Sequence, residues 1–175
     1  LGFKKCIPFD TVAYQKLEAE ISSVFNENEI YKPADFKNGY ATIGDRVEQN
    51  GWPYLQDCLG KVIFILEGHN QHIYRSFVVP LMFYYGEPND VNTAFLLRNH
   101  SQGIESQIKD LTDHFMIRTR SDAGTVQSRN NDYSMWESAL QSKAQIISTD
   151  YYQADKRWSS YKVGFKKTVL LRGQD

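Results

Sequence analysis

Two short stretches hold side chains that chemistry could use: Arg118-Thr119-Arg120-Ser121-Asp122 and Ser148-Thr149-Asp150-Tyr151. Each closes an apolar run, Phe115-Met116-Ile117 in the first case and Ile146-Ile147 in the second. If those runs are strands, period-two alternation puts Met116, Arg118 and Arg120 on one side, and Ser148 and Asp150 on one side likewise. Two guanidiniums aimed the same way suit an anion, because their forked N–H groups match the oxygens of a phosphate. The alternative is an Arg–Asp ion-pair layer with no ligand. Residue types alone leave both open. Glu67 closes a third apolar run, Val62 to Leu66.

Other constellations carry less. Glu67-x-His69-x-x-His72 offers three ligands of the kind zinc takes, but Gly68 and Asn70 make the segment a loop rather than one helix face, and a solvated loop explains it equally. His100 lies between Asn99 and Ser101 before a Gly103 turn, and His114 follows Asp113 at a helix end; both read as structural or exposed. No serine stands in a Gly-x-Ser-x-Gly elbow, and no Gly-rich phosphate loop occurs. The two cysteines, Cys6 and Cys58, make no disulfide framework and read as buried thiols. Tyr84-Tyr85 and Tyr151-Tyr152 each put one ring inward by default. At a strand end, Tyr85 or Tyr151 would instead flank a sugar ring. Lys156, Arg157, Lys162, Lys166 and Lys167 make the C-terminal stretch 156–175 basic, with Trp158 and Tyr161 interleaved. That mixture suits a membrane surface, and a solvated pair of C-terminal strands explains it as well.

The elements that position these residues follow from periodicity. Asp10 caps a helix through Ala13, Leu17, Ile21 and Val24. Asn26 to Gly39 is polar, broken by Pro33, and reads as a long loop. Thr42 starts a helix with Ile43 and Val47 on one face. Lys61 to Glu67 reads as a strand covered on both faces. Pro80 to Tyr85, Thr93 to Leu97, Phe115 to Arg120 and Gln145 to Thr149 read as further strands. Ile104 to Leu111 and Tyr133 to Ser142 read as helices, the latter with Met135, Ala139 and Leu140 inward. Strands alternating with helices predict an α/β fold. A (β/α)8 barrel usually takes about 250 residues, so four or five strands in 175 residues amount to part of one.

Composition sets the outer bounds. Lys plus Arg number 20 and Asp plus Glu 21, a formal charge of −1 that gives no electrostatic ground for a nucleic-acid partner. Apolar residues make up 41% and aromatics 14%, which is globular rather than disordered usage. The length predicts one domain, with 156–175 peripheral. No apolar run approaches the roughly 18 residues that a membrane helix needs. The chain opens on Leu1 without a leader sequence, as a processed form or fragment would.

Four passages in order carry a resemblance: Gly51-Trp52-Pro53-Tyr54-Leu55 into Gly60 to Glu67; Phe95 to Asn99; Phe115 to Asp122; and Ala144 to Tyr151. Together they resemble the C-terminal half of the calcium-dependent phosphatidylinositol-specific phospholipase C family of bacterial type, and Pro8 to Phe25 with Ala41-Thr42 also fits. The Arg-Thr-Arg-x-Asp and Ser-Thr-Asp-Tyr signatures are the most specific. The resemblance implies a TIM-barrel phosphodiesterase acting on an inositol phospholipid at a membrane. In such an enzyme one histidine activates the inositol 2-hydroxyl, a second protonates the leaving group, and calcium offsets phosphate charge. It also implies secretion. The family's His-Asn-x-x-His-like motif is absent, and none of His69, His72, His100 and His114 matches it. The catalytic pair and calcium ligands are therefore expected outside this chain, in the other half of the barrel. What carries over is the substrate wall: Arg118 and Arg120 on phosphate or inositol oxygens, with Glu67, Asp122, Asp150 and Tyr151 around them. By itself such a half is expected to be inactive and to associate through its open edges. Two other readings remain: a non-catalytic phosphoinositide or sugar-phosphate binding module, and a glycerophosphodiester phosphodiesterase.

Overall fold

The computed structural model describes residues 9–68 and 71–164. Cys6, His69, Lys166 and Lys167 lie outside them. The chain forms two compact units, residues 1–96 and 97–175.

The first unit begins with α1 (Thr11–Val24), capped by Asp10, whose Oδ1 accepts from the Ala13 amide at 2.8 Å. Its inner face is Tyr14, Leu17, Ile21 and the following Phe25, packed with Tyr74 and Met82. Val24 departs from the expected face and is 67% exposed. Glu18, between the apolar positions of the helix, turns inward: its Oε1 accepts from the Tyr74 hydroxyl at 2.5 Å and the Leu81 amide at 2.8 Å. The expected loop 26–39 is partly helical. A 3₁₀ turn (Glu27–Glu29) and α2 (Pro33–Lys37) occupy it. Pro33 starts a helix rather than breaking one, because the first helical position needs no amide donor.

Next come α3 (Ile43–Asn50), which starts at Thr42 as expected and is closed by a capping box of Thr42 and Asp45, and α4 (Leu55–Cys58). Ile43 and Val47 are buried as expected. The run from Lys61 to Glu67 is corrected. Only β1 (Ile65–Leu66) is regular, no residue of the run is fully buried, and Ile63 is 40% exposed. The reason is that the run splits its pairing: Val62 bridges Ile30, while Ile65 and Leu66 pair with Phe83 and Tyr84. A short helix α5 (Gln71–Arg75) precedes β2 (Phe83–Gly86), which pairs in parallel with β3 (Phe95–Leu97). Gly86 is required at that join. A Cβ there would lie 2.6 Å from Thr93 Oγ1 and 2.7 Å from its Cβ.

The second unit starts at the end of β3, where the Arg98 amide donates to the Arg118 carbonyl at 2.8 Å. Then follow α6 (Glu105–Leu111), β4 (Met116–Arg120), α7 (Val126–Asn130), α8 (Ser134–Gln141) and β5 (Ile146–Ser148). β4 and β5 are parallel, with Arg118 opposite Ile146, Thr119 opposite Ile147 and Arg120 opposite Ser148. Ile117 and Thr119 are fully buried on one face of β4; Met116, Arg118 and Arg120 are half-buried on the other. Ile108, Met135 and Ala139 are buried in the flanking helices, with Leu140 half-buried. Ser101, Ser138 and Glu105 form a hydrogen-bonded chain of 2.8 and 2.7 Å that ties α6 to α8. Residues 151–164 form turns and extended chain, so no strand pair appears among the described part of the C-terminal stretch. Parallel strands succeed one another in chain order, with α5 between β1 and β2, turns between β2 and β3, and α7 and α8 between β4 and β5. This is an α/β fold of the kind that makes up part of a TIM barrel.

Candidate functional site

The carboxyl ends of β4 and β5 enclose a cleft of about 130 Å3, lined by Arg118, Arg120, Asp122, Gly124, Thr149 and Asp150, among others. Strand alternation places the arginines. With Ile117 and Thr119 packed beneath the helices, Arg118 and Arg120 must rise from the opposite face. Arg118 Nη2 approaches Ser148 Oγ at 3.4 Å, and Ser148 Oγ donates to the Thr119 carbonyl at 3.2 Å. The strand register thus sets the first guanidinium over β5.

Asp122 has a different task from its neighbours. It is only 4% exposed. Its Oδ2 accepts from Ser121 Oγ at 2.7 Å and Thr149 Oγ1 at 2.5 Å; its Oδ1 accepts from the Asp150 amide at 3.0 Å. Those bonds run from the loop after β4 to the loop after β5. The carboxylate therefore fastens the two strand ends together and holds Asp150 on the rim, where its own side chain is exposed. Thr149 Oγ1 also accepts from the Tyr151 amide at 3.0 Å, which fixes the next turn.

Tyr151 sits at a partition. Its hydroxyl donates to the Gly124 carbonyl at 2.8 Å, closing one side of the cleft. Its ring lines a second groove of about 160 Å3 with Arg129, Trp158 and Tyr161. Tyr161 is buried; its ring stacks on Tyr133 and its hydroxyl donates to the Ser121 carbonyl at 3.3 Å. Burial, and after it the nearby Asp122 charge, push the Tyr161 phenol up to about 12.

Of the sequence-derived candidates, the structure brings Arg118, Arg120, Asp122 and Asp150 together, with Tyr151 adjoining. Glu67 is exposed and belongs to the first unit. His72, His100 and His114 are exposed, and none lines the cleft. Sequence reasoning missed Ser121 and Thr149. Their signal was available: a serine and a threonine beside the two acids of the site are the hydroxyl donors a buried carboxylate needs.

A parallel α/β arrangement with an arginine-bearing cleft at the strands' carboxyl ends defines a partial TIM-barrel protein whose site suits an anion. The chain belongs to the phosphoinositide phospholipase C family, Ca2+-dependent, whose family model matches residues 2–174. No curated protein and no solved structure matches it.

The family's name carries calcium, which a seat in the cleft would have to meet with several oxygen ligands. Among the described residues no three His, Cys, Asp or Glu side chains converge. The donor set is also wrong for a divalent cation: Asp122 already takes three donors, and two guanidiniums share the space. These residues do not fit calcium.

Proposed function

We propose that this chain supplies the phosphate- and inositol-binding wall of a phosphoinositide phospholipase C. The observation that carries the reading is the pairing of Arg118 and Arg120 on one face of β4, over a cleft that Asp122 holds in shape. The arginines take the phosphate oxygens, and their charge favours the added negative charge of the transition state at phosphorus. Asp150, on the rim, accepts from a ring hydroxyl. Tyr151 closes the side of the cleft against the ring. The ligand is the headgroup of an inositol phospholipid, and the reaction it serves is cleavage of the glycerol–phosphate ester. The acid–base histidines and the calcium ligands of that reaction lie outside this cleft.

One observation favours a second reading. Neither His100 nor His114 of the second unit lines the cleft, so the same wall would serve a headgroup-binding module without chemistry.

The test is a calorimetric titration with myo-inositol 1-phosphate, beside a phosphatidylinositol cleavage assay with and without calcium. Binding weakened tenfold or more in both Arg118→Ala and Arg120→Ala supports the wall. Unchanged binding in both removes it. Cleavage by the 175-residue chain itself would mean that its own histidines do the chemistry. Binding without cleavage, in this chain and in longer forms alike, would leave the binding module.

A further inference from the structure

Among the described residues three buried side-chain atoms have no hydrogen-bond partner: Arg46 Nε, Asn99 Oδ1 and Thr119 Oγ1. Arg46 belongs to the first unit, and Thr119 is fully buried on the helix-facing side of β4. Asn99 differs. It lies in the second unit just past β3, at the carboxyl ends of the strands, where β4 and β5 open their cleft. A buried carbonyl oxygen without a donor is uncommon, and each one calls for a reason.

Strand register says where Asn99 stands. The Arg98 amide donates to the Arg118 carbonyl at 2.8 Å, as the Ser121 amide donates to the Ser148 carbonyl at 3.0 Å. The second of these bonds goes with Arg120 opposite Ser148. By the same parallel geometry the first puts Leu97 opposite Arg118, and Asn99 opposite Arg120. Asn99, Arg120 and Ser148 therefore form one row across three neighbouring strands. A row shares one face, here the face from which both arginines rise, and adjacent strands lie about 4.8 Å apart. The segment is held on both sides of Asn99. Arg98 is fixed by its bond to β4, and Ser101 by its Oγ, 2.8 Å from Ser138 Oγ, and by its carbonyl, which accepts from the Ile104 amide at 3.0 Å. An acceptor held in this way loses little freedom when a donor arrives.

Its chemistry supplies what the arginines lack. Guanidiniums offer only donors, which suit phosphate oxygens, whereas a hydroxyl also needs an acceptor for its proton. A carboxylate in that row would pair with Arg120 and draw it from the phosphate. A neutral carboxamide accepts without doing so. We propose that Asn99 is a specificity-determining residue of the headgroup site, its side-chain oxygen accepting from a ring hydroxyl of the inositol while Arg118 and Arg120 hold the phosphate. The inference rests on the phosphoinositide reading of the cleft and adds to it a means of selecting the ring. A site whose buried acceptor is met only by the substrate's hydroxyl rejects the analogue that lacks it, because that analogue leaves the acceptor unpaired.

The experiment is calorimetric titration of the 175-residue chain with myo-inositol 1-phosphate and with cyclohexyl phosphate, which keeps the ring and the phosphate and lacks the other hydroxyls. The parent is expected to prefer the inositol ester. In Asn99→Ala and Asn99→Leu that ester binds about tenfold more weakly, while cyclohexyl phosphate binds as in the parent. Arg118→Ala and Arg120→Ala weaken both ligands. The thermal midpoint of Asn99→Leu stands at or above the parent's, since leucine removes the acceptor and leaves no donor behind. A parent with no preference between the two esters overturns the role of Asn99, and so does an equal loss for both ligands in the Asn99 variants. A lowered midpoint in both variants with inositol binding intact makes Asn99 a structural residue and overturns it as well. The two readings fail separately. Parent-like binding in the Asn99 variants, with loss in the arginine variants, removes only the role of Asn99. Loss of the inositol ester in Asn99→Ala, with parent-like binding in both arginine variants, removes only the phosphate wall. No binding of either ester by the parent removes both.

Discussion

A buried carboxylate is costly unless both of its oxygens find donors. Asp122 meets that condition through Ser121 and Thr149 on Oδ2 and the Asp150 amide on Oδ1. Asp122→Ala strands the Thr149 hydroxyl and the Asp150 amide, while Ser121 Oγ keeps the Ser148 carbonyl at 3.1 Å, so a loss of about 2–3 kcal/mol is expected in urea unfolding. Asp122→Asn keeps the shape and one acceptor and should cost less, about 1–2 kcal/mol. Equal stability of the alanine variant and the parent would end the scaffold role. The arginines should behave in the opposite way. They stand half-buried on the open face of β4, so Arg118→Ala and Arg120→Ala should leave stability within about 0.5 kcal/mol. In an active enzyme that includes this chain, one of them should lower kcat/KM by about two decades. Wild-type kinetics in both would remove the phosphate clamp. These residues were legible in the sequence because alternation on a strand needs only a period of two. The buried role of Asp122 was not, since it depends on donors from a loop 27 and 28 residues away.

At the level of elements, long periodic helices and strand positions were readable, and short or split elements were not. The capped starts of α1 and α3 came from Asp10 and Thr42. The five-residue helices α2, α5 and α7 had too few turns to show a period. The inward turn of Glu18 was not legible, because helical spacing marks apolar faces and says nothing of a carboxylate that a buried tyrosine recruits. Tyr74 is fully buried, and its phenol is pushed well up, first by burial and then by the bond to Glu18. The β2–β3 join gives the sharpest element-level prediction. Gly86→Ala drives a methyl group into Thr93, for which about 2 kcal/mol of destabilisation is expected. An unchanged thermal midpoint in that variant would show that the two strands can part at no cost.

For the molecule as a whole, tyrosine ionisation sets an alkaline limit. Tyr31, Tyr84 and Tyr161 are each raised to about 12, with burial as the first cause, and Tyr74 rises as well. A raised phenol holds its proton more tightly in the folded state. Its contribution is therefore complete below the unfolded value near 10 and is lost as pH climbs from about 10 to 12. Thermal midpoints should be flat at neutral pH and fall across that window, together with the growth of tyrosinate absorbance. Ionisation of all tyrosines near pH 10 without unfolding would contradict the burial. A second whole-molecule property is exposed apolar surface in the first unit, at Tyr54, Leu55, Leu59, Val78 and Val79. Concentration-dependent association is the expected behaviour in sedimentation, and a monomer at all concentrations would count against it. The sequence led one to expect a fully covered strand at Val62 to Leu66. Burial depends on neighbours that composition does not name, and here the pairing divides between Ile30 and β2.

The knot at Asp122 also bears on how such a site can change over generations. Ser121, Thr149 and the turn at Asp150 all depend on one carboxylate, so a substitution at any member leaves the others mismatched until they too are replaced. Drift is thereby discouraged at the floor of the cleft and left open at its rim. Arg118, Arg120 and Asp150 can be exchanged singly without breaking the frame. A lineage seeking a different phosphorylated headgroup would be expected to vary those three and to inherit Asp122 unchanged.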